Sequence, residues 1–234
     1  MLILALDTSS PAGSLAVLRD DKIVGVVSTA TDEIYSSRMF RHLEFLLREL
    51  ALTLDQFDLI AVDAGPGSFT GLRVGLTTAK GWAEVYKKPI AAISGLEAVA
   101  MQSISTASLL VPVIDARRGQ VYFGFYRRLN SGLALEREER VLTPQEFVEA
   151  LRARAGKSDY TIVSPTPEVL GQALSRNETL PMPIEIVSSV LAPIIGQLGY
   201  RRAQRGQLAD SLSLDANYVH RSDAEVHYKG PQGT

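Results

Sequence analysis

Apolar residues fall along this chain in two kinds of run. LILALD (2–7), LAVLRD (15–20) and KIVGVVS (22–28) are short, and turn residues (TSSPAGS, then DD) separate them. They predict a three-stranded antiparallel meander with tight turns at 8–14 and 20–21. YSSRMFRHLEFLLREL (35–50) repeats at helical spacing instead. Met39, Phe40, Leu43, Leu46, Leu47 and Leu50 share one arc of the helical wheel, and Phe45 lies outside it. FDLIAVDAG (57–65) then predicts a buried strand, 70–87 a second helix that Pro89 ends, PIAAIS (89–94) a strand and LEAVAMQSI (96–104) a third helix.

The pattern then restarts. LLVPVID (109–115) ends in an acid, as LILALD does, and the basic turn ARRGQ follows. VYFGFYRR (121–128) predicts one strand and 133–141 another. TPQEFVEALRARA (143–155) opens with a Thr cap and a Pro in its first turn, which predicts a helix. YTIVSP (160–165) predicts a strand, and EVLGQALS (168–175) and IIGQLGYRRAQRGQ (194–207) two further helices. Strands alternating with helices predict an α/β sheet. Asp7 and Asp115 hold equivalent places in two β-β-β-α-β-α units, which predicts a duplication. Such a pair describes the actin/Hsp70/sugar-kinase architecture, with subdomains over 1–106 and 107–234 and a polar C-terminal tail.

Composition narrows the function classes. The 234 residues are 46% hydrophobic and 21% charged, ordinary for a water-soluble globular protein. A net charge of −2 provides no global field to recruit nucleic acid. No cysteine is present, which removes disulfides, thiol nucleophiles and Cys-ligated zinc and fits a cytoplasmic location. MLILALDTSS lacks a basic leader and is interrupted by Asp7, so it reads as a strand rather than a signal peptide. No apolar run approaches the ~20 residues that span a bilayer.

The stretch AGPGSFTGLRVGLTTAKGW (64–82) carries the densest candidate chemistry. It is not a Walker loop, because no glycine pair before Lys80 has the required spacing. It is not a dinucleotide fingerprint, because Gly71 follows Gly65 and Gly67 one residue too late. Around Ser68 the sequence P-G-S-F-T does not make a nucleophile elbow, and no histidine is placed to serve Ser68 as a base, which disfavours a peptidase. The residues read as a sharp turn, with positive φ at Gly65 and Gly67, Ser68 or Thr70 as a helix cap, and a helix grooved by Gly71, Gly75 and Gly81 where another backbone can come close. Free N–H groups at the helix start could also hold an anion.

These residues resemble the TsaB (YeaZ) family. The resemblance rests on ALDTSSPAGSLAVL, DAGPGSFTGLRVGLTTAKGWA, KPIAAISGLEA, VIDARRGQVYFGFY and, near the end, NYVHRSDAE. The segment EIYSSRMFRHLE departs from the family by lacking its His-Ser-Glu run. The resemblance implies a non-catalytic subunit that binds and activates TsaD in forming the threonylcarbamoyl group on N6 of adenosine 37, in tRNAs reading codons that begin with A. TsaE would join the assembly, tRNA would be met through the complex, and the chain alone could form a homodimer.

TsaD is similar through the same loop and helix, but carries an H-x-x-x-H metal motif where this chain has Gly95 and Val99. The resemblance therefore implies no metal here and no catalytic residue. The implied partner interface uses the two helices at 35–50 and 70–87, through Met39, Leu43, Leu46, Leu47, Leu50, Gly71, Val74, Gly75, Thr78 and Trp82. In the kinase-like architecture Asp7, Thr8 and Ser9 stand at one phosphate turn and Asp115 with Arg117 at the other. Two nucleotide readings follow: ATP or ADP at the boundary with the partner, or a small ATP-hydrolysing enzyme using Asp7 and Asp115. Arg201, Arg202 and Arg205 form a basic cluster at a helix end, open to helix-dipole, partner or tRNA readings.

Overall fold

The computed structural model describes residues 1–10, 12–31, 35–155, 159–171 and 183–208. The first sheet holds β1 (Leu2–Asp7), β2 (Ser14–Arg19), β3 (Lys22–Val27), β4 (Leu59–Asp63) and β5 (Ile90–Ile93), in the order β3-β2-β1-β4-β5. The meander is antiparallel as predicted, and β4 and β5 join β1 in parallel. Strands β1 and β4 are apolar at nearly every position because both sheet faces are covered. Helices α1 (Tyr35–Glu49) and α2 (Phe69–Tyr86) cover one face, and α3 (Gly95–Met101) follows β5.

The second sheet repeats this order. β6 (Leu109–Arg117), β7 (Gln120–Phe123), β10 (Arg140–Leu142), β11 (Tyr160–Ser164) and β12 (Ile184–Ile186) run β10-β7-β6-β11-β12, strand for strand as in the first. The duplication is therefore visible in the topology. Two predicted strands are each broken. The run 121–128 divides into β7 and β8 (Tyr126–Leu129), which keep one register against β6 (Val113↔Phe123, Leu110↔Tyr126). The break falls opposite Pro112, which has no N–H for the ladder. The run 133–141 divides into β9 (Gly132–Leu135) on β8 and β10 on β7, and residues 136–139 loop out between them.

Helix α4 (Pro144–Ala155) packs Phe147, Val148 and Leu151 on the outer face of this sheet. The predicted helix at 168–175 begins as a 3₁₀ turn over Pro167–Leu170, and its end lies outside the described residues. So does the C-terminal tail, with His220 and His227.

Helix α5 (Ala192–Gln204) changes the picture of two subdomains. It belongs to the second repeat by sequence, yet it lies on β1, β2, β4 and β5 of the first sheet. In exchange α3 lies on β6 and β11 of the second. One core thus joins both halves: Ile3, Ala5, Ala61 and Ala91 meet Ile195 and Leu198 on one side, while Leu96 and Val99 meet Leu110 and Val163 on the other. The boundary at 106/107 separates the repeats in sequence, but the halves share their interior. No described helix is long and apolar enough to cross a membrane.

Candidate functional site

The corner at the end of β1 is closed by its own side chains. Asp7 is fully buried and accepts from the Ser9 backbone N–H (2.9 Å), the Ser9 hydroxyl (3.0 Å) and the Ser10 hydroxyl (3.1 Å). Thr8 donates its hydroxyl to the Gly71 carbonyl at 2.7 Å, and the Ser68 N–H donates to the Ser9 carbonyl at 2.9 Å. The first turn of α2 is thereby pinned onto the β1–β2 turn. The glycines follow from that contact. A Cβ at Gly71 would overlap the Thr8 carbonyl oxygen, one at Gly75 the Thr8 hydroxyl, and one at Gly67 would stand 2.6 Å from Ser9 Cβ.

A backbone does come close to the groove that Gly71 and Gly75 cut in α2, as the sequence predicts. Thr8 of the same chain fills it. Ser68 caps α2 by accepting from Gly71 N–H, and Gly65 has the expected positive φ (104°), with a cis peptide to Pro66. Gly67 lacks the positive φ that the sequence predicts for it. Close approach, rather than backbone freedom, calls for its glycine.

Two acids without a role in the sequence expectations complete the neighbourhood. Asp63 ends β4 as Asp7 ends β1, and it is fully buried. It accepts from Gly65 N–H at 2.8 Å, and its Oδ2 has no hydrogen-bond partner among the described residues. Burial first, and then the charge of Asp7, push its carboxyl up to about 8, against the Gly65 N–H hydrogen bond. Burial likewise raises Asp7. Glu139, in the loop between β9 and β10, accepts from the Ser94 and Tyr126 hydroxyls. Ser94 also caps α3 through the Leu96 and Glu97 N–H groups. A signal for Asp63 exists in the sequence: LIAVD is a third apolar run ending in an acid. Glu139 has none, because its partners are 13 and 45 residues away.

The positions aligned with the TsaD metal motif are built into this packing. A Cβ at Gly95 would stand 3.2 Å from both Asp63 carboxylate oxygens, and Val99 is fully buried in the shared core. Among the described residues no three His, Cys, Asp or Glu side chains are grouped to hold a metal. His42 stacks edge-on with Tyr35 and meets the Thr29 hydroxyl.

Asp115 and Arg117 lie at the other corner, where β6 turns into β7. Asp115 accepts from Arg117 N–H at 2.7 Å and pairs with its guanidinium at 3.6 Å. Arg117, Arg118 and Gly119 are all left-handed (φ 64°, 51° and 73°), and Arg117 faces solvent. The two halves of the expected nucleotide site therefore differ. At Asp7 the Thr8 and Ser9 hydroxyls are engaged by the Gly71 carbonyl and the Asp7 carboxylate, and a second buried acid, Asp63, stands nearby. Without a cation to bridge them, two carboxylates there would repel a polyphosphate.

The helix pair α1/α2 presents a different surface from the one expected. Met39, Leu43 and Leu46 are buried on the first sheet, and Leu47 and Leu50 pack against the same core, so these five do not form an outward face. The outward apolar residues are Phe40, 54% exposed, Phe45, 47% exposed, and Val85, 72% exposed. Phe40 stands edge-on to Trp82 at 6.4 Å. Val74, Thr78, Trp82 and Val85 follow at i, i+4, i+8 and i+11 along one stripe of α2. The first three of these belong to the expected interface residues.

Comparison with known proteins fits this geometry. Residues 16–175 match the family described as TsaD: tRNA N6-adenosine threonylcarbamoyltransferase. The tRNA threonylcarbamoyladenosine biosynthesis protein TsaB of Bacillus subtilis is 34% identical over 154 residues, covering 66% of this chain and 67% of that protein. The structure of YeaZ from Pseudomonas aeruginosa superposes with a TM-score of 0.75 at 24% identity, covering 93% of this chain and 99% of that one. A ROK hexokinase from Thermus thermophilus superposes at 0.50 with 10% identity, over 87% of this chain and all of that one, so the shared fold extends to sugar kinases. With the same duplicated sheets, and with a TsaB relative matched over two thirds of its length, the chain belongs to the TsaB (YeaZ) family.

Proposed function

We propose that this chain is a non-catalytic subunit that binds a TsaD-type threonylcarbamoyltransferase and holds it in a competent shape for modifying adenosine 37 of tRNA, with TsaE as a further component. The observation that carries this reading is the outward apolar stripe of α1 and α2, crowned by Phe40, Trp82 and Val85. Solvent-exposed large apolar residues grouped on a helix pair mark a protein contact. A related chain with the same fold could meet this face in a pseudo-twofold four-helix arrangement, and a second copy could do so in the partner's absence. Gly95 and Val99 supply no ligand where the transferase motif has histidines, which supports a role in activation rather than chemistry.

The test is to mix the chain with TsaD and follow co-elution by gel filtration. Modified adenosine is then measured in the presence of TsaE, threonylcarbamoyl-adenylate and tRNA. Phe40→Asp and Val85→Asp should abolish co-elution and product while leaving thermal unfolding of the isolated chain intact. Leu43→Asp is unsuitable, because it would unfold the core. Variants that fold and still pair tightly would refute the interface, and product made without TsaD would refute the non-catalytic role. The second reading, an ATP-hydrolysing enzyme using Asp7 and Asp115, is disfavoured by the closed turn at Asp7. It would need turnover by the purified chain that Asp7→Asn removes.

A further inference from the structure

The β8–β9 hairpin stands as a wall between two recesses lined by arginine. On one side a recess of about 550 Å³ lies between the hairpin, α3 and α5, with Tyr126, Glu139 and Leu198 in its floor and Arg201 and Arg205 among its lining residues. On the other a recess of about 600 Å³ is lined by Arg127, Arg137, Arg154 and Glu136. Alternation along β8 sends Arg127 and Arg128 to opposite faces of the hairpin.

The partners of these arginines leave most of their charge in place. Arg127 and Arg154 share the single carboxylate of Glu136. Arg205 donates to the Ser131 carbonyl at 2.7 Å, and Arg128 to the Ser105 carbonyl at 2.7 Å. A carbonyl orients a guanidinium without neutralising it. Arg201 and Arg137 are exposed, as is the acid Glu138 beside Arg137. Arg202 is excepted, being paired with Glu97 and bonded to the Ala92 carbonyl.

The residue type is also selective. After residue 106 the sequence has thirteen arginines and two lysines, Lys157 and Lys229, whereas four of the nine basic residues before it are lysines, Lys22, Lys80, Lys87 and Lys88. The forked guanidinium matches phosphate oxygens two at a time.

We propose that the β8–β9 hairpin and the C-terminal end of α5 form a contact surface for the phosphate backbone of RNA. The inference rests on the proposed function, in which tRNA comes to the assembly, and assigns part of its contact to this chain. The charge is spread over two faces of a hairpin whose four-residue strands run roughly 13 Å, so it suits successive phosphates rather than one bound ion. The aromatic ring in these recesses, Tyr126, is buried with its hydroxyl on Glu139, so the surface lacks a platform for stacking unpaired bases. It meets backbone without reading sequence. Because the whole chain is net negative, the contact is short-range and adds to RNA already held by the partner.

The experiment is fluorescence anisotropy of labelled, unmodified tRNA transcript titrated with the assembled complex over a series of KCl concentrations. Arg201→Glu combined with Arg205→Glu should weaken binding roughly tenfold or more. It should also lower the slope of log K against log salt by about 0.7 to 0.9 for each phosphate that is no longer neutralised. Arg137→Glu should act in the same direction, and Arg201→Lys with Arg205→Lys should keep most of the slope. Unchanged affinity and slope in charge-reversed variants that co-elute with TsaD as wild type would overturn the proposal. Displacement of the RNA by an equal charge concentration of poly-glutamate would overturn it in favour of an acidic peptide. If the wild-type chains do not co-elute, the pairing reading fails separately, and the same titration on the chain alone at low salt decides the RNA surface.

Discussion

The corners at Asp7 and Asp115 occupy the same place in two copies of one unit, and they have diverged in opposite directions. At Asp7 three hydrogen bonds, a pinned helix and three close-packed glycines make a solid joint. At Asp115 one backbone hydrogen bond and three left-handed residues make an open hairpin tip. Both apolar runs end in an acid, although β6 itself continues to Arg117. What differs is what the next elements bring against it. The first repeat delivers the start of α2 and a second buried acid, and the corner becomes interior.

The sharpest way to break the comparison is to put the same methyl group in both corners. Gly71→Ala forces a Cβ into the Thr8 backbone and should cost about 3 kcal/mol or more, enough to leave much of the chain unfolded at 37 °C. Gly119→Ala meets open space and strains only its left-handed φ, for about 1–2 kcal/mol. Urea denaturation of both variants measures the gap, and equal costs would show that the two corners are packed alike.

Removing the acids gives a smaller contrast. Asp7→Ala strands two serine hydroxyls and an N–H, two of the three bonds lying fully inside, and should lose about 2–3 kcal/mol. Asp115→Ala should stay within about 0.5 kcal/mol by the same assay.

A pH dependence sharpens the picture electrostatically. In the folded chain burial and the neighbouring Asp7 push the Asp63 carboxyl up to about 8, from an ordinary value of 3.8. Below pH 3.8 both forms are protonated and the folded state has the full benefit. As pH rises from there toward 8, the unfolded chain releases its proton while the native one retains it. Stability from this group is therefore lost across that window. Asp63→Asn keeps an acceptor for Gly65 N–H and removes the titration. It should flatten that decline and raise the melting temperature at about pH 8 relative to wild type. A variant whose pH profile overlays wild type would place the proton elsewhere.

The strands of the first half were legible because each is a short apolar run that ends in turn residues. The arc on α1 was legible too, but periodicity says only which residues share a face. It does not say whether Leu43 turns toward its own sheet or toward another chain, and here the sheet took it. The glycines of α2 announced a close approach without naming Thr8 as the neighbour. Strand β12 has only three residues, too few to show alternation, and the break between β7 and β8 depends on Pro112 in another strand. In the site, Asp7 and Asp115 could be read from their place after apolar runs. The link from Glu139 to Ser94 crosses the chain and leaves no local pattern.

The exchange of α3 and α5 between the two sheets also sets an order of events during synthesis. The inner face of the first sheet, with Ala5, Leu18 and Ala61, stays uncovered after Ile93 has been made, because its cover is α5. Roughly 110 residues separate Ile93 from Gln204, so at ~5–20 residues per second a nascent chain waits roughly 5 to 20 s with that face open. Through that interval the growing chain carries an uncovered apolar face of the kind that makes incomplete chains stick to their neighbours.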